Sequence, residues 1–269
     1  MFPGLFPAFG SAEALPPQTG LLNWYKTPIV GLVDNDTFAP RSGGAGGTPT
    51  WPDQTTNAEN LFDLESGTSP KYRTTSVTIN GLPVVDFDAA ATQALSSQTH
   101  SGAPASGPYY NLTEASIYIV GRLDNDVPAA QAKAGLWALN PVDPGNFLVE
   151  FPGVLAANQI LESTFSTTRR TTVDPTPSLA SPFYYGVLSK ANSFKTRLNG
   201  TEIFSTGTNT FQPPLTSNFS ASYRFGQSAD GTFSFYYDGV IAEILIYDHF
   251  LTAGEITELE TYLANRFAI

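Results

Sequence analysis

The sequence predicts an all-β protein, a two-sheet antiparallel jelly-roll sandwich that ends in one short α-helix. Aromatic residues make up 13% of the chain, charged residues only 14%, and Gly and Pro number 23 and 21. This balance is typical of short strands joined by turns, because aromatic side chains favour strands whereas Gly and Pro favour reversals. Segments of strand-like apolar pattern recur at 82–87, 116–123, 135–139, 147–151, 158–162, 183–188, 194–198, 222–225 and 233–247.

The first 20 residues are predicted to form an extended arm ahead of one sandwich domain at residues 21–269. Pro and Gly separate the large apolar side chains of this arm and block both a helix and a central strand. These side chains are Phe2, Leu5, Phe6 and Phe9. Because the arm cannot bury them by folding locally, we expect an assembly arm that docks on another copy or another protein. Docking on its own domain is the alternative.

Tight turns separate the predicted strands. The dipeptides that supply the positive φ of a two-residue reversal are Asn80-Gly81, Asn199-Gly200, Asp230-Gly231 and Asp238-Gly239. Two longer stretches are predicted to be loops: 41–67, which is rich in Gly, Thr and Asn, and 102–108, which is rich in Gly and Pro. No shift of composition indicates a domain boundary within the sandwich.

The final element is predicted to be a helix. Thr252 and Glu255 have the spacing of a capping box, in which each side chain accepts a hydrogen bond from the other residue's backbone. After them Ile256, Leu259, Leu263 and Phe267 fall on one face at helical spacing. We therefore expect this helix to dock on the sandwich through its apolar face.

Charge and composition exclude several classes of partner. With 24 acidic and 13 basic residues the formal net charge is −11, which repels nucleic acid and anionic lipid headgroups. No stretch is long and apolar enough for membrane insertion, and the N-terminus lacks the pattern of a signal peptide. The absence of cysteine excludes disulfides and thiolate metal sites.

Two stretches carry motifs of a known superfamily. The first comprises Trp51-Pro52-Asp53-Gln54 with Asn57, and then Asn80-Gly81-Leu82-Pro83-Val84-Val85-Asp86-Phe87-Asp88. The second comprises Phe225-Gly226, and then Tyr237-Asp238-Gly239-Val240-Ile241-Ala242-Glu243-Ile244-Leu245-Ile246-Tyr247-Asp248. Both resemble the concanavalin A-like lectin and glucanase superfamily, also called laminin-G-like, in the form common in bacterial and bacteriophage surface proteins. The resemblance implies the fold from about Leu21 onward, but lectins, hydrolases, lyases and assembly modules share it.

The residues indicate a protein that is not an enzyme. Glucanases of the superfamily place carboxylates at alternate positions of one strand, so that all of them face the same cleft. Asp86 and Asp88 begin such a set, but the third position is Ala90. Glu243 stands alone among apolar neighbours, and the two histidines lie outside the predicted strands. We therefore predict no catalytic residues, with a polysaccharide hydrolase or lyase as an alternative.

A carbohydrate site needs an aromatic ring that stacks on a sugar, flanked by amides or carboxylates that bind its hydroxyls. Tyr109, Tyr110 and Asn111, directly after a Gly- and Pro-rich loop, have this composition. Trp51 with Asp53 is the other candidate, although in the superfamily that this stretch resembles the Trp more often seats the loop. If a strand follows Tyr110, one of the two tyrosines faces the core.

Two acidic turns could in principle bind Ca²⁺, which prefers several oxygen ligands in one loop. They are Asp34-Asn35-Asp36 and Asp124-Asn125-Asp126. The same composition is typical of ordinary polar turns, so we predict no metal and no other cofactor, with Ca²⁺ as the alternative.

These observations lead to one functional hypothesis and two alternatives. The resemblance to surface proteins, without a signal peptide or cysteine, favours a non-enzymatic virion surface protein of a bacteriophage, either decorating the capsid or acting as a tail adhesion module. Its partners would be other virion proteins, copies of itself, or a host surface glycan, and lysis would release it to the outside. A secreted or cell-surface carbohydrate-binding module is the first alternative, and a hydrolase or lyase is the second.

Overall fold

The all-β prediction is confirmed, with one helix at the C-terminal end. The computed structural model describes residues 14–39, 49–63, 69–97, 112–126, 135–138, 149–150, 160–172, 175–212, 224–229 and 234–269. The strands are Leu21–Lys26 (β1), Leu61–Asp63 (β2), Lys71–Arg73 (β3), Val84–Phe87 (β4), Leu95–Ser97 (β5), Glu114–Leu123 (β6), Trp137–Ala138 (β7), Val149–Glu150 (β8), Leu161–Glu162 (β9), Arg170–Thr171 (β10), Phe183–Lys190 (β11), Ser193–Leu198 (β12), Thr201–Thr206 (β13), Arg224–Phe225 (β14), Gln227–Ala229 (β15), Ser234–Tyr236 (β16) and Gly239–Tyr247 (β17). The helix is Ala253–Phe267 (α1), and a short 3-10 helix spans Ala89–Ala91.

One large antiparallel sheet organises the molecule. Its strand order is β13-β12-β11-β6-β17-β4-β3, and β1 also pairs with β17. Strand β17 pairs with β6 on one side. On its other side it pairs with β4 through its first residues and with β1 through its last ones. The short strands form the opposing layer, in the orders β2-β5-β14-β7, β10-β9-β8 and β15-β16.

The large sheet is buried on both faces. Its inner face contributes Val85, Ile117, Ile119, Val187 and Ile244 to the core between the layers, where Trp51, Leu61, Trp137 and Phe225 also lie. Its outer face contributes Val84, Tyr118, Val120 and Leu245 to a second core, which helix α1 covers with Leu259, Leu263 and Phe267. Burial on both faces explains why β17 is apolar almost throughout instead of alternating.

Helix α1 begins as the capping box predicts. Thr252 accepts a hydrogen bond from the Glu255 backbone, and the Glu255 side chain accepts one from the Thr252 backbone at 2.8 Å. On the sheet-facing side, the guanidinium of Arg197 on β12 bonds both carboxylate oxygens of Glu260, at 2.6 and 2.9 Å. Among the described residues, no helix is long and apolar enough to span a bilayer.

A histidine joins the end of β17 to the start of the helix. Nδ1 of His249 lies 3.0 Å from the Asp248 carboxylate, and Nε2 lies 3.1 Å from Glu255. Gly20, at positive φ, packs so closely against Asp248 and His249 that a side chain there would collide with both. Partial burial lowers the pKa of His249, but the hydrogen bonds to Asp248 and Glu255 outweigh it and the net shift is upward from 6.5.

We expect the stability of the helix start to depend on pH through His249. Because its pKa is higher in the folded than in the unfolded state, protonation stabilises the fold below about pH 6.5. This contribution is lost as the pH rises through the folded pKa. An NMR titration should place the His249 pKa above that of a model peptide, and E255Q should lower it. A His249 pKa unchanged by E255Q would contradict this account.

Candidate functional site

Trp51 lies in the core and does not form an exposed stacking surface. Its side chain has 0% exposure and packs edge-on against Tyr25 at 6.2 Å between ring centroids. Its indole N–H donates to the Lys26 carbonyl at 3.1 Å. This corrects the prediction of Trp51 as a sugar-binding residue: a ring without exposed area cannot stack on a ligand. Its role is to seat the loop beside β1.

Asp53 organises the same loop from within. Its Oδ1 accepts from the backbones of Trp24 and Thr55, each at 3.0 Å. Its Oδ2 accepts from Asn23 Nδ2 at 2.7 Å, from the Thr55 hydroxyl at 2.8 Å and from the Glu59 backbone at 3.3 Å. Because both oxygens are already occupied and the residue is buried, the prediction of Asp53 as a sugar ligand is also corrected.

The remaining predicted site residues lie outside the described residues. These are Tyr109, Tyr110 and Asn111 of the sugar site, and Phe2, Leu5, Phe6 and Phe9 of the assembly arm. Their roles stay predictions.

The carboxylates considered for catalysis have separate structural partners. Asp86 forms an ion pair with Arg73 of the neighbouring strand at 2.8 Å. Asp88 caps the 3-10 helix by accepting from the Ala90 backbone at 2.8 Å. Glu243 is fully buried beneath α1, where Oε1 accepts from the Trp24 indole at 2.6 Å and the Tyr262 hydroxyl at 2.7 Å.

Arg266 completes the arrangement around Glu243. Its Nε lies 3.0 Å from Oε2 of that carboxylate, and another guanidinium nitrogen donates to the Thr27 carbonyl. Glu243 therefore fastens the helix to the sheet.

In each of the two acidic turns, an aspartate side chain accepts a hydrogen bond from the backbone of another segment. Asp34 Oδ1 accepts from the Thr74 backbone at 2.7 Å, and this bond lowers the pKa of Asp34. Asp126 accepts from the Leu179 backbone at 3.2 Å. Within the described part of the chain, no cluster of three His, Asp or Glu side chains has an arrangement that could hold a metal ion.

An open groove of about 680 Å³ lies beside the β3 edge of the large sheet, and we call it the edge groove. The chain after β1 runs back along β3, where the Asn35 backbone donates to Tyr72 and the Tyr72 backbone donates to Asp36, both at 2.8 Å. The backbone of Ile29 donates to the buried Tyr72 hydroxyl at 2.9 Å. These bonds hold one wall of the groove in place, and residues 49–52 form the other.

The edge groove combines an apolar wall with unoccupied polar groups. The apolar lining consists of Ile29, Val30, Leu32, Pro49 and Pro52, with Gly31 between them, and the polar lining consists of Asp36, Thr37 and Thr50. Val30 is 98% exposed, so almost all of its apolar side chain is open to solvent.

Asp36 Oδ2 accepts from the Val33 backbone at 2.8 Å. Its other carboxylate oxygen and the hydroxyls of Thr37 and Thr50 make no hydrogen bond to any described residue. The groove can therefore offer one charged acceptor and two hydroxyls to a ligand beside an apolar surface.

Sequence reasoning missed this groove. Its only local signal was the Asp34-Asn35-Asp36 turn, which the sequence offered as a calcium alternative. The two walls are about a dozen residues apart in the chain. The pairing of the first wall with β3, and the hydrogen bond that the Ala39 backbone donates to the Pro49 carbonyl at 2.8 Å, bring them into position.

Solved structures with the same fold come from glycan-active proteins. One is domain 4 of a GH43 extracellular arabinanase from Geobacillus stearothermophilus, solved with arabinotriose: the TM-score is 0.52 at 15% identity, covering 78% of this chain and 92% of that one. Another is a Trypanosoma rangeli sialidase with the inhibitor DANA, at a TM-score of 0.54 and 11% identity, covering 98% of this chain and 35% of that one. The same sialidase with sialic acid has a TM-score of 0.52 at 11% identity, and the match covers 94% of this chain and 34% of that one.

This chain thus spans about a third of the sialidase. No protein-family model matches the chain, and no curated protein sequence matches it significantly. At these identities the likeness shows the fold alone, a β-sandwich that occurs in carbohydrate-active proteins.

The comparisons overturn the prediction that the chain is not an enzyme, because these solved structures belong to an arabinanase and a sialidase. That prediction relied on a missing row of three carboxylates along one strand, on the isolated Glu243, and on histidines that lie outside the predicted strands. The missing row excludes one catalytic arrangement and says nothing about sites assembled from loops, which sequence spacing does not reveal.

Proposed function

We propose that the chain is a glycan-binding sandwich domain of the concanavalin A-like class that acts within or beside a carbohydrate-active protein. The observation that carries this proposal is the likeness to the arabinanase domain. The match covers 92% of that domain, which was solved in complex with arabinotriose. The likeness covers nearly all of that domain and 78% of this chain, so the comparison concerns most of the sandwich.

The edge groove is the proposed binding surface. Sugars present apolar ring faces bordered by hydroxyls, and proteins bind them with apolar contacts and a few well-placed polar groups. The apolar side of the groove, with the highly exposed Val30, would contact the ring face. The free oxygen of Asp36 and the hydroxyls of Thr37 and Thr50 would exchange hydrogen bonds with the sugar.

The setting of this domain stays a prediction from the sequence. The resemblance of residues 80–88 and 237–248 to bacterial and bacteriophage surface proteins supports a place on a virion surface, with other virion proteins or further copies as partners. A secreted or cell-surface module would use the same groove.

Replacing Thr50 with valine should weaken glycan binding by about fivefold to tenfold, since a net hydrogen bond contributes about 1 kcal/mol. We would screen the protein on a glycan array that includes arabino-oligosaccharides, and then measure affinities by calorimetry. The matched control is T201V, which removes an exposed hydroxyl at the start of β13 on the opposite edge of the large sheet.

Two outcomes would contradict the proposal. One is a protein that binds no glycan on the array, and the other is a T50V variant that binds as tightly as T201V. Because the structural neighbours include enzymes, the same glycans should also be incubated with the protein and analysed for new reducing ends.

A further inference from the structure

We infer that the edge groove selects neutral saccharides over acidic ones. The inference rests on the proposed function, because it assigns a ligand class to the same groove. The solved structures contain one sugar of each class, since arabinotriose is uncharged whereas sialic acid carries a carboxylate. The residues of the groove distinguish between them.

The charge of the groove is the first argument. Asp36 is the single charged residue among the described lining. The nearby guanidinium of Arg73 pairs with Asp86 at 2.8 Å and with the Asn35 side chain, and Arg73 is not among the described lining of the groove. Lys71 pairs through its backbone with Thr37 but does not line the groove. The described lining therefore contains no cation for an acidic sugar.

The hydrogen-bonding capacity of the groove is the second argument. A carboxylate only accepts hydrogen bonds, so the free oxygen of Asp36 requires a donor, and a sugar hydroxyl is one. An ionised sugar carboxylate would offer no donor and would repel Asp36. Two like charges about 4 Å apart cost about fivefold in affinity even with the screening of bulk water, and more where water is partly excluded.

The test compares one oligosaccharide in two charge states. The probe is the tightest neutral ligand from the array and the same molecule with one primary hydroxyl oxidised to a carboxylate. For the unmodified protein in low salt, we expect the acidic form to bind at least fivefold more weakly. The difference should narrow at high salt, because salt screens exposed charges.

The variant D36N isolates the cause. Asparagine keeps an oxygen for the Val33 backbone and removes the charge, so the turn should remain intact. We expect D36N to bring the two affinities to within about twofold, while the affinity for the neutral form changes by less than the difference between the two forms. K71A should leave the preference unchanged.

The outcomes separate this inference from the proposed function. If the acidic form binds as tightly as the neutral form, or if D36N leaves the difference intact, the inference is wrong while glycan binding stands. If acidic binding is tight and K71A abolishes it, Lys71 is the recognition residue and the inference is again wrong. If neither form binds and the array is blank, both are wrong.

Discussion

Replacing Asp53 with alanine is expected to destabilise the sandwich by about 3–5 kcal/mol, more than removing the Asp36 carboxylate of the edge groove. Each buried donor left without an acceptor costs about 1–3 kcal/mol. Asp53 serves Asn23, Trp24, Thr55 and Glu59 at once, and these donors lie in β1 and in the loop beside it. The loop that seats Trp51 should therefore loosen.

The effect can be measured by urea unfolding monitored through tryptophan fluorescence. D36A is the matched control, because Asp36 caps only the Val33 backbone at the open groove and should cost less than about 1 kcal/mol. D53N should fall between D53A and the unmodified protein, since one oxygen remains. If D53A unfolds like the unmodified protein but no longer binds glycans, Asp53 is a ligand contact and our structural assignment is wrong.

A second large effect is expected at Glu162, a carboxylate enclosed between the two layers. Its Oε1 accepts from the Thr164 backbone at 2.6 Å, and its Oε2 accepts from the Tyr185 hydroxyl at 2.7 Å. The Thr164 hydroxyl in turn accepts from the Trp137 indole at 3.0 Å. Burial raises the pKa of Glu162 from 4.5 to about 7, because these hydrogen bonds only partly offset the lost hydration of the charge.

The raised pKa sets the direction of the pH dependence. Between about pH 4.5 and 7 the folded protein keeps a proton on Glu162 that the unfolded chain has lost, so the free energy of unfolding falls as the pH rises. Below this window both states are protonated and the charge adds no penalty. Above it the penalty is complete, on the order of 3 kcal/mol from this residue.

The substitution E162Q removes this titration while keeping the size of the side chain. We expect the stability of E162Q relative to the unmodified protein to rise by about 3 kcal/mol between pH 4.5 and pH 8. Denaturant unfolding at several pH values would measure it. The control is E202Q on β13, where the exposed ion pair with Lys195 lowers the Glu202 pKa, so any trend should be small and of opposite sign. Parallel curves for E162Q and the unmodified protein would show that folding does not raise the pKa of Glu162.

The parts of the fold that were predictable are those with local causes. The capping box and the apolar spacing of α1 involve residues within a few turns of each other, and the helix begins at the expected residue. The Asn80-Gly81 and Asn199-Gly200 reversals have the expected positive φ at both residues, because the conformational preference belongs to the dipeptide.

Several strands gave no usable pattern. Strands β2, β3 and β5 have three residues each, which is too few for an alternation of apolar and polar residues to stand out. They are stabilised by backbone pairing with neighbouring strands. Strand β1 was missed because Asn23, a polar residue, occupies a fully buried position, where its amide nitrogen donates to Asp53 of the loop beside it. Such a pairing leaves no trace in the spacing of residues.

The fold class, the two Asn-Gly turns and the terminal helix could be predicted from the sequence, because backbone preference and apolar periodicity are properties of neighbouring residues. Which polar residues face outward could be read only from the packing of segments that are distant in the chain. Trp51 and Asp53 had the composition of a sugar site. The packing of their loop on β1, however, buries the Trp51 ring and occupies both carboxylate oxygens of Asp53 with hydrogen bonds. Asp36 resembled an ordinary turn residue, yet pairing along β3 leaves one of its oxygens free in a groove, since burial and hydrogen bonding depend on neighbours distant in the chain.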